Sequence, residues 1–348
     1  MKIWMIWLQE ALGAGAVTDE ITAVFPSPEE MYSRGEIEWR LSGVLTNRQI
    51  EKLKQCSPEK AQGIVDVCYN NGWTVLTPDD EDYPPKLRSP LALFVRGDIK
   101  RVTQRVCIAV VGTRKASFQG SYLAHRYAAA LAYSGICVVS GAAMGIDSCA
   151  HNGALDSGGV TAAVLGCGFG YKYLMENEYL RDCVAQSGAL ITEFPPGFPS
   201  SARTFPIRNR IISGLCDATI VIEAGVKSGS LITANCAIEQ GREVFAPPGD
   251  VFILRRGESA DKRRRKTAFV NLRSDNGILR ALSRQDKAGG YGEGARISER
   301  QARADAGAGK GRAEDRRASA RIGQKVRARA EARGVPGQEA RVNTRRTI

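Results

Sequence analysis

The chain has 348 residues, of which 43% are hydrophobic and 25% are charged, so it is long enough to bury a large core and to form two or three domains. Its formal net charge is +12, but residues 253–348 alone carry 26 Lys and Arg against 11 Asp and Glu, and the preceding part is slightly acidic. The basic total therefore excludes a simple reading as a basic globular domain.

The N-terminal segment MKIWMIWLQEALG is apolar for only about eight residues and has no signal-peptide cleavage pattern. No other run reaches the ~18 apolar residues that a membrane span needs. All nine cysteines lie before residue 237 and none forms a C-x-x-C pair. This pattern favours buried free thiols in a reducing cytosol over zinc or disulfides. We therefore expect a soluble, cytoplasmic protein with no membrane partner.

Residues 1–70 place apolar side chains at helical spacing and predict a module of four or five helices, with Thr46 as one N-cap. Residues 71–104 are rich in Pro and Asp and predict an extended connector that contains a short strand, LALFVRG.

Apolar β-branched runs then alternate with helix-like segments. The runs lie at 106–112, 136–141, 160–166, 189–193, 218–224 and 243–249, and the helix-like segments at 119–134, 146–156, 176–187, 207–215 and 229–240. Apolar strands that are each followed by a helix indicate a parallel sheet covered on both faces. We predict a Rossmann-like, doubly wound, mostly parallel α/β domain over residues 105–252. In such folds ligands bind at the carboxyl ends of the strands.

The segment 253–348 is dominated by Arg, Ala and Gly and contains two aromatic residues. Such a composition has too little apolar surface to offset the entropy of ordering. We therefore predict a basic, largely disordered tail.

The first strand of the α/β domain ends in Gly112, Thr113 and Arg114. Gly112 permits a tight turn, Thr113 and the following amides can donate to an anion, and Arg114 offers a bidentate guanidinium to a phosphate. An ordinary strand-to-helix turn with a surface arginine is the alternative.

The second strand ends in SGAAMGIDSCAHNGAL, where Asp147 and His151 lie four residues apart on one helix face. Because no third ligand is evident, we expect a structural hydrogen bond, between the two or to the glycine-rich loop, rather than a metal site. The third strand ends in GCGFGYKYL, whose glycine spacing is not that of a dinucleotide site. The chain also lacks the G-x-x-x-x-G-K-[ST] motif of ATP-binding loops.

The fourth strand leads into EFPPGFPSSARTFPIRNRIISGL, where Arg203, Arg208 and Arg210 surround Phe205, with Asn209 between the last two arginines. Basic side chains follow a phosphate backbone, and an aromatic face stacks on bases of any identity. The alternative is that Phe205 packs at the helix entry and the arginines are solvated.

The fifth strand leads to a helix that begins with Lys227, Ser228, Gly229 and Ser230. Free amides, two hydroxyls and an ammonium there can form an anion site, with a plain serine N-cap as the alternative. Three strand ends with such groups at one sheet edge fit a polyanion better than one small phosphate.

These motifs together resemble the DNA-processing protein A family (DprA/Smf). The similarity is carried by GTR at 112–114, by SGAAMGIDSCAHNGAL, ITEFPPG and FPIRNRIISGL, and by GVKSGSLITANCAIEQGREVFAPPG, and it spans about residues 70–250. The helical N-terminal part resembles the sterile-alpha-motif-like or helix-hairpin-helix module of many members. The resemblance implies a Rossmann-like core that binds single-stranded DNA, forms a homodimer and loads the RecA recombinase in natural transformation. It implies no catalytic residue, metal or cofactor.

Carried over by motif, the resemblance implies that Arg114 holds a phosphate and that Phe205 stacks on a base. It further implies that Arg203, Arg208, Asn209 and Arg210 line the strand and that residues 227–230 complete the groove. The chain departs from the family at Met144, where many members have Arg, and at Gly170 and Leu174, which replace an Asp and a Pro. After Val251 the family's usual continuation is missing, and one hypothesis is a frameshift near codon 253, which translation of the other two frames tests.

The leading hypothesis is a non-catalytic, single-stranded DNA-binding protein. The alternative is a nucleotide-binding phosphoribohydrolase of the lysine-decarboxylase-like group, but Thr233 stands where that group has its catalytic Glu. A third hypothesis makes the basic tail the sole nucleic-acid contact.

Overall fold

The computed structural model describes residues 1–16, 18–225 and 228–247, together with the backbone of a short strand at Val270–Asn271. The predictions made for Lys227 and for the tail 253–348, including its disorder and the frameshift, lie outside the described residues apart from that strand. None of the described helices is long and apolar enough to cross a membrane.

Five helices occupy the predicted N-terminal helical region. They are α1 (Lys2–Leu12), α2 (Asp19–Val24), α3 (Pro28–Leu41), α4 (Asn47–Gln55) and α5 (Pro58–Asn70). Helix α4 begins at the predicted N-cap, Thr46, whose hydroxyl accepts from the Gln49 amide in a capping box. The helices pack around Trp7, whose side chain is fully buried and whose ring centroid lies 6.1 Å from that of Trp39.

The rest of the described chain forms one sheet with helices on both faces. The strands are β1 (Thr74–Leu76), β2 (Leu93–Gly97), β3 (Cys107–Val111), β4 (Cys137–Ser140), β5 (Thr161–Val164), β6 (Ala189–Thr192), β7 (Ala218–Val221), β8 (Glu243–Ala246) and β9 (Val270–Asn271). The helices are α6 (Ile99–Thr103), α7 (Phe118–Tyr133), α8 (Ile146–Asp156), α9 (Glu178–Ser187), α10 (Thr204–Leu215) and α11 (Gly229–Glu239).

The sheet order is β1-β2-β6-β5-β4-β3-β7-β8-β9. Strands β3 to β9 pair in parallel, and β2 joins β6 antiparallel with β1 beside it. Every residue of β3 to β7 is buried, because both faces of the sheet are covered. The predicted doubly wound, mostly parallel α/β fold is confirmed, and the antiparallel edge is an addition to it.

The winding direction of the sheet reverses beside β3. The chain runs from β3 through β4 and β5 to β6 on one side and then crosses to β7 on the other side of β3. The ends of these two strands are adjacent, since Val111 pairs with Val221. Such a reversal opens a crevice at the carboxyl ends of the two strands, which is the usual ligand position in this kind of sheet.

The helical N-terminal region shares a hydrophobic core with the sheet, because Leu8 and Phe25 belong to the same buried cluster as Leu165 and Leu190. A buried Gln9 strengthens this junction through hydrogen bonds with the backbone of Ala92 and Glu193. The domain boundaries at residues 70, 104 and 252 remain a proposal.

All nine cysteines lie in the described part of the chain and are free thiols. Five are buried, and burial raises the pKa of Cys68 to about 11. A thiol with so high a pKa is almost entirely protonated at neutral pH and is a poor nucleophile or metal ligand.

Candidate nucleic-acid interface

The loops that follow β3, β4 and β7 are tied together at one side of the sheet, which we call the carboxyl edge. The Thr113 amide donates to the Glu223 carbonyl at 2.8 Å, and the Ile146 amide donates to the Thr113 carbonyl at 3.2 Å. Gly112 is required here because a Cβ would lie 2.5 Å from the Ile146 side chain and 2.9 Å from the Glu223 carbonyl. Arg114 is therefore held at the crevice where the winding direction reverses.

Arg114 and Phe205 meet at this edge although they follow different strands. The Arg114 guanidinium carbon lies 4.7 Å from the centroid of the Phe205 ring, which is half-buried, while Arg114 is exposed. The ring rests against Gly166, where a Cβ would approach Phe205 to 2.8 Å. Tyr173, which no sequence motif indicated, flanks the ring at a centroid distance of 5.5 Å. A cation, an aromatic face and a tyrosine thus converge.

The contact between Arg114 and Phe205 is weak enough to open for a ligand. A cation–π pair at an exposed site contributes about 0.5–1 kcal/mol. A base stacked on an aromatic ring contributes about 1–3 kcal/mol, and a guanidinium–phosphate pair adds a charge-assisted, bidentate contact. A ligand that offers a base to Phe205 and a phosphate to Arg114 can therefore replace the contact between the two side chains.

Arg208 is not at the surface, in contrast to the expectation that it lines a bound nucleic-acid strand. It is 5% exposed, and its Nη1 donates to the Gly141 carbonyl at 2.9 Å and to the Val164 carbonyl. Gly141 follows the last residue of β4, and Val164 is the last residue of β5. Arg208 therefore connects the carboxyl ends of these two β-strands. The charge of Asp147 partly offsets burial, which lowers the pKa of the guanidinium.

Asn209 and Arg210 also have structural contacts. Asn209 is 7% exposed, and its side-chain amide donates to the Gly229 carbonyl at 3.1 Å, which ties α10 to the start of α11. Arg210 pairs with Glu193 at 2.5 Å and donates to Ser89. Of the four residues expected to line the strand, Arg203 is exposed.

Helical periodicity explains why Arg208 faces inwards. The buried positions of α10 include Arg208, Ile211, Ile212 and Leu215, which recur at the spacing of one helical face. The same spacing was visible in the sequence and assigns Arg208 to the apolar stripe. The density of arginines next to an aromatic ring was the weaker signal.

Asp147 and His151 serve structure, as expected, through separate partners. The Asp147 carboxylate accepts from the Gly141 amide at 3.2 Å and from the Ala143 amide at 3.4 Å, which holds the glycine-rich loop. His151 Nδ1 lies 2.8 Å from the Thr161 hydroxyl, and burial lowers the pKa of His151 to about 3.

The N-terminus of α7 is already occupied by a carboxylate. Glu223 Oε2 accepts from the Ser117 amide at 3.0 Å and from the Ser117 hydroxyl at 2.9 Å. A negative charge at this position takes the place that a phosphate would fill. Of the groups in the predicted anion site after β3, Arg114 is exposed, whereas the N-terminus of α7 is filled by Glu223.

The start of α11 is more open. Ser228 is the N-cap and accepts from the Ser230 amide at 3.3 Å, and the two hydroxyls lie 2.8 Å apart. Gly229 is exposed, Ser228 half-buried and Ser230 buried. Lys227 lies outside the described residues. The serine N-cap foreseen as the alternative is present, and Gly229 beside it is exposed.

Residues 74–278 match the family model of DNA recombination-mediator protein A. Protein Smf of Escherichia coli K12 is 45% identical over 178 residues, which cover 50% of this chain and 47% of that protein. The DNA processing protein DprA of Bacillus subtilis is 40% identical over 176 residues, covering 49% and 59%. The chain thus spans about half the length of these relatives. The family match runs past Val251, so the frameshift stays a hypothesis.

Two solved structures share the fold. DNA processing protein A from Streptococcus pneumoniae superposes with a TM-score of 0.60 at 30% identity, covering 72% of this chain and 88% of that one. DNA processing protein A from Helicobacter pylori, described as having a unique single-stranded DNA binding mode, gives a TM-score of 0.53 at 24% identity, covering 61% and 96%. At that identity the second likeness shows the fold alone.

Proposed function

Because this chain belongs to the DNA recombination-mediator protein A family, we propose that it is a non-catalytic protein that binds single-stranded DNA in the cytoplasm during DNA processing. The observation that carries the proposal is the stacked pair of Arg114 and Phe205 at the reversal point of the sheet. The pair combines a phosphate-binding cation with a base-stacking ring.

The other charged groups at the carboxyl edge support a binding role over catalysis. The carboxylates of Asp147 and Glu223 both accept hydrogen bonds from backbone amides and so hold loops in place. The phosphoribohydrolase alternative needs a carboxylate at position 233, where the chain has a threonine that is 2% exposed. That alternative therefore lacks its catalytic group.

We further propose that the protein acts as a homodimer and delivers the bound strand to RecA. These two steps rest on the family membership. Light scattering of the full chain tests the first, and co-purification with RecA in the presence and absence of oligo-dT tests the second. A monomer at micromolar concentration, or no strand-dependent retention of RecA, contradicts the respective proposal.

The binding proposal is tested with the full chain and fluorescent oligo-dT, by anisotropy over a series of salt concentrations. Arg114→Ala should weaken binding and reduce the salt slope by about 0.7–1, since one phosphate contact is lost. Phe205→Ala should weaken binding by about 1–3 kcal/mol with little change in slope.

Arg105→Ala is the matched control. It removes one positive charge just before β3, at the opposite end of the strand that positions Arg114. It should leave the affinity nearly unchanged. If Arg114→Ala and Phe205→Ala both bind like the wild type, the carboxyl edge is not the site and the hypothesis of a tail contact is favoured.

A further inference from the structure

The outward face of α7 carries two aromatic side chains with large exposed surfaces. Phe118 is 92% exposed at the first residue of the helix, and Tyr122, one turn later, is 52% exposed. These residues are four apart and so lie on the same helix face. The guanidinium of Arg126, a further turn along, lies 5.7 Å from the Tyr122 ring centroid. Large exposed rings in such a row indicate a contact surface.

The charge around this face is complementary to a polyanion. The sequence has no Asp or Glu between Asp98 and Asp147, whereas the first 252 residues as a whole are slightly acidic. The loop that enters α7 contributes Arg114 and Lys115, which are both exposed. Two carboxylates from other described segments approach this helix. Asp156 pairs with His125 at 2.8 Å, and Glu223 accepts hydrogen bonds from Ser117 at the N-terminus.

The aromatic row is continuous with the site at the carboxyl edge. Phe118 follows Arg114 by four residues, so the two Cα atoms are at most about 14 Å apart. The Glu223 carboxylate at the N-terminus of α7 keeps phosphates from the helix amides. A strand that continues past Arg114 would therefore meet α7 through its bases, for which aromatic faces are the suitable partner.

We propose that Phe118 and Tyr122 form a second base-stacking site for the strand that Arg114 and Phe205 bind. The inference rests on the proposed function, since it extends the path of the same single strand. It assigns α7 a role that depends on bases and is insensitive to their identity, because every base has a π-face.

A second copy of this chain is the rival occupant of the row. A standard protein–protein interface buries about 800 Å² on each partner, whereas Phe and Tyr bury about 150–250 Å² each when fully covered. The two rings cover too little area for the core of a dimer interface. The positively charged Lys115 and Arg126 lie on either side of them along the chain. A nucleic acid fits both features.

The test compares oligo-dT with an abasic oligonucleotide of the same length, using the full chain. Phe118→Ala and Tyr122→Ala should each weaken oligo-dT binding at least about fivefold, the lower limit for loss of one stacked base. Both should leave binding of the abasic strand unchanged, and Phe118→Trp should retain the oligo-dT affinity. Tyr133→Ala is the matched control, because Tyr133 is 83% exposed at the far end of α7, about 22 Å from Phe118 along the helix axis.

Arg114→Ala distinguishes a failure of the second stacking site from a failure of the proposed function. If Arg114→Ala weakens binding and Phe118→Ala binds oligo-dT like the wild type, the second site is refuted and the proposed function stands. If Arg114→Ala, Phe205→Ala and Phe118→Ala all bind oligo-dT like the wild type, the second site and the site at the carboxyl edge are both refuted. The inference is also overturned if Phe118→Ala weakens oligo-dT and abasic binding equally, or if light scattering shows that it dissociates a dimer at unchanged affinity per protomer.

Discussion

Replacing Arg208 by Met should lower stability without removing a direct DNA contact. Methionine keeps most of the length of the side chain, so the perturbation is mainly loss of the guanidinium. That loss leaves the Gly141 and Val164 carbonyls without their Arg208 donor and leaves the buried Asp147 without the cation beside it.

The size of the effect follows from the two buried carbonyls that lose their charged donor. Leaving a buried acceptor unsatisfied costs about 1–3 kcal/mol, so two such losses cost about 2–6 kcal/mol together. With a urea slope of about 2 kcal/mol per M, this lowers the unfolding midpoint by about 2 M.

The loss should depend on pH with a definite sign. Burial already raises the pKa of Asp147, and the Arg208 charge lowers it, so the variant should raise this pKa further. A carboxyl whose folded pKa lies above its unfolded value stabilises the fold at low pH and loses that contribution as pH rises through the folded pKa. The variant should therefore be closer to the wild type at pH 5 than at pH 8.

Urea unfolding of the full chain checks this. Circular dichroism should accompany tryptophan fluorescence, since all four tryptophans precede residue 74 and report on the N-terminal region. Arg203→Met is the matched control, because Arg203 is exposed in the same segment and its loss should change stability by less than about 0.5 kcal/mol. A variant Arg208→Met with the wild-type midpoint and strongly weakened oligo-dT binding would refute the structural role.

Three further predictions concern buried groups. Burial lowers the pKa of His151 to about 3 from its ordinary 6.5, so the free energy of unfolding should fall as pH drops below 6.5, by up to about 5 kcal/mol. In denaturation experiments across pH, His151→Gln should lose stability less steeply than the wild type, and an equal pH dependence would contradict this. Burial raises the pKa of Glu193 to about 6, so the wild type loses stability as this carboxyl ionises. Between pH 4 and pH 7 the stability of Glu193→Gln relative to the wild type should therefore rise by about 2 kcal/mol, and a constant difference would count against this. Gly166→Ala should displace the Phe205 ring, which a Cβ would approach to 2.8 Å, and so weaken oligo-dT binding. Gly63→Ala is the control, because there is open space around Gly63, and it should leave binding unchanged. Equal affinities of the two variants would show that the position of the ring is unimportant.

The sheet was predictable because its strands are covered on both faces. A strand buried on both faces is a continuous apolar run, such as Cys107–Val111, and the six predicted runs of the α/β domain correspond to six parallel strands. Among the predicted helices of this domain, α10 had the least accurate boundary, since it begins at Thr204 and not at residue 207. The short helix α6 and strand β1 were not predicted, because segments of a few residues carry little periodic signal.

The candidate site was predictable at the level of loops but not of individual side chains. Arg114 and Phe205 meet as expected, because parallel strands bring their carboxyl ends to one edge. Arg208 and Arg210 did not follow the expectation, since a guanidinium near a strand end can bind solvent, a ligand or the protein itself. Tyr173 was missed because its loop gave no signal beyond its glycines.

By itself, the sequence determined the order and type of the core elements, the edge at which the loops meet, and the family, since these depend on local periodicity and on glycine positions. The tertiary structure alone decided which charges remain free. Glu223 fills the N-terminus of α7 from 106 residues away, and Arg208 reaches Gly141 across 67 residues. Such pairings depend on packing in three dimensions, and no local pattern of residues encodes them.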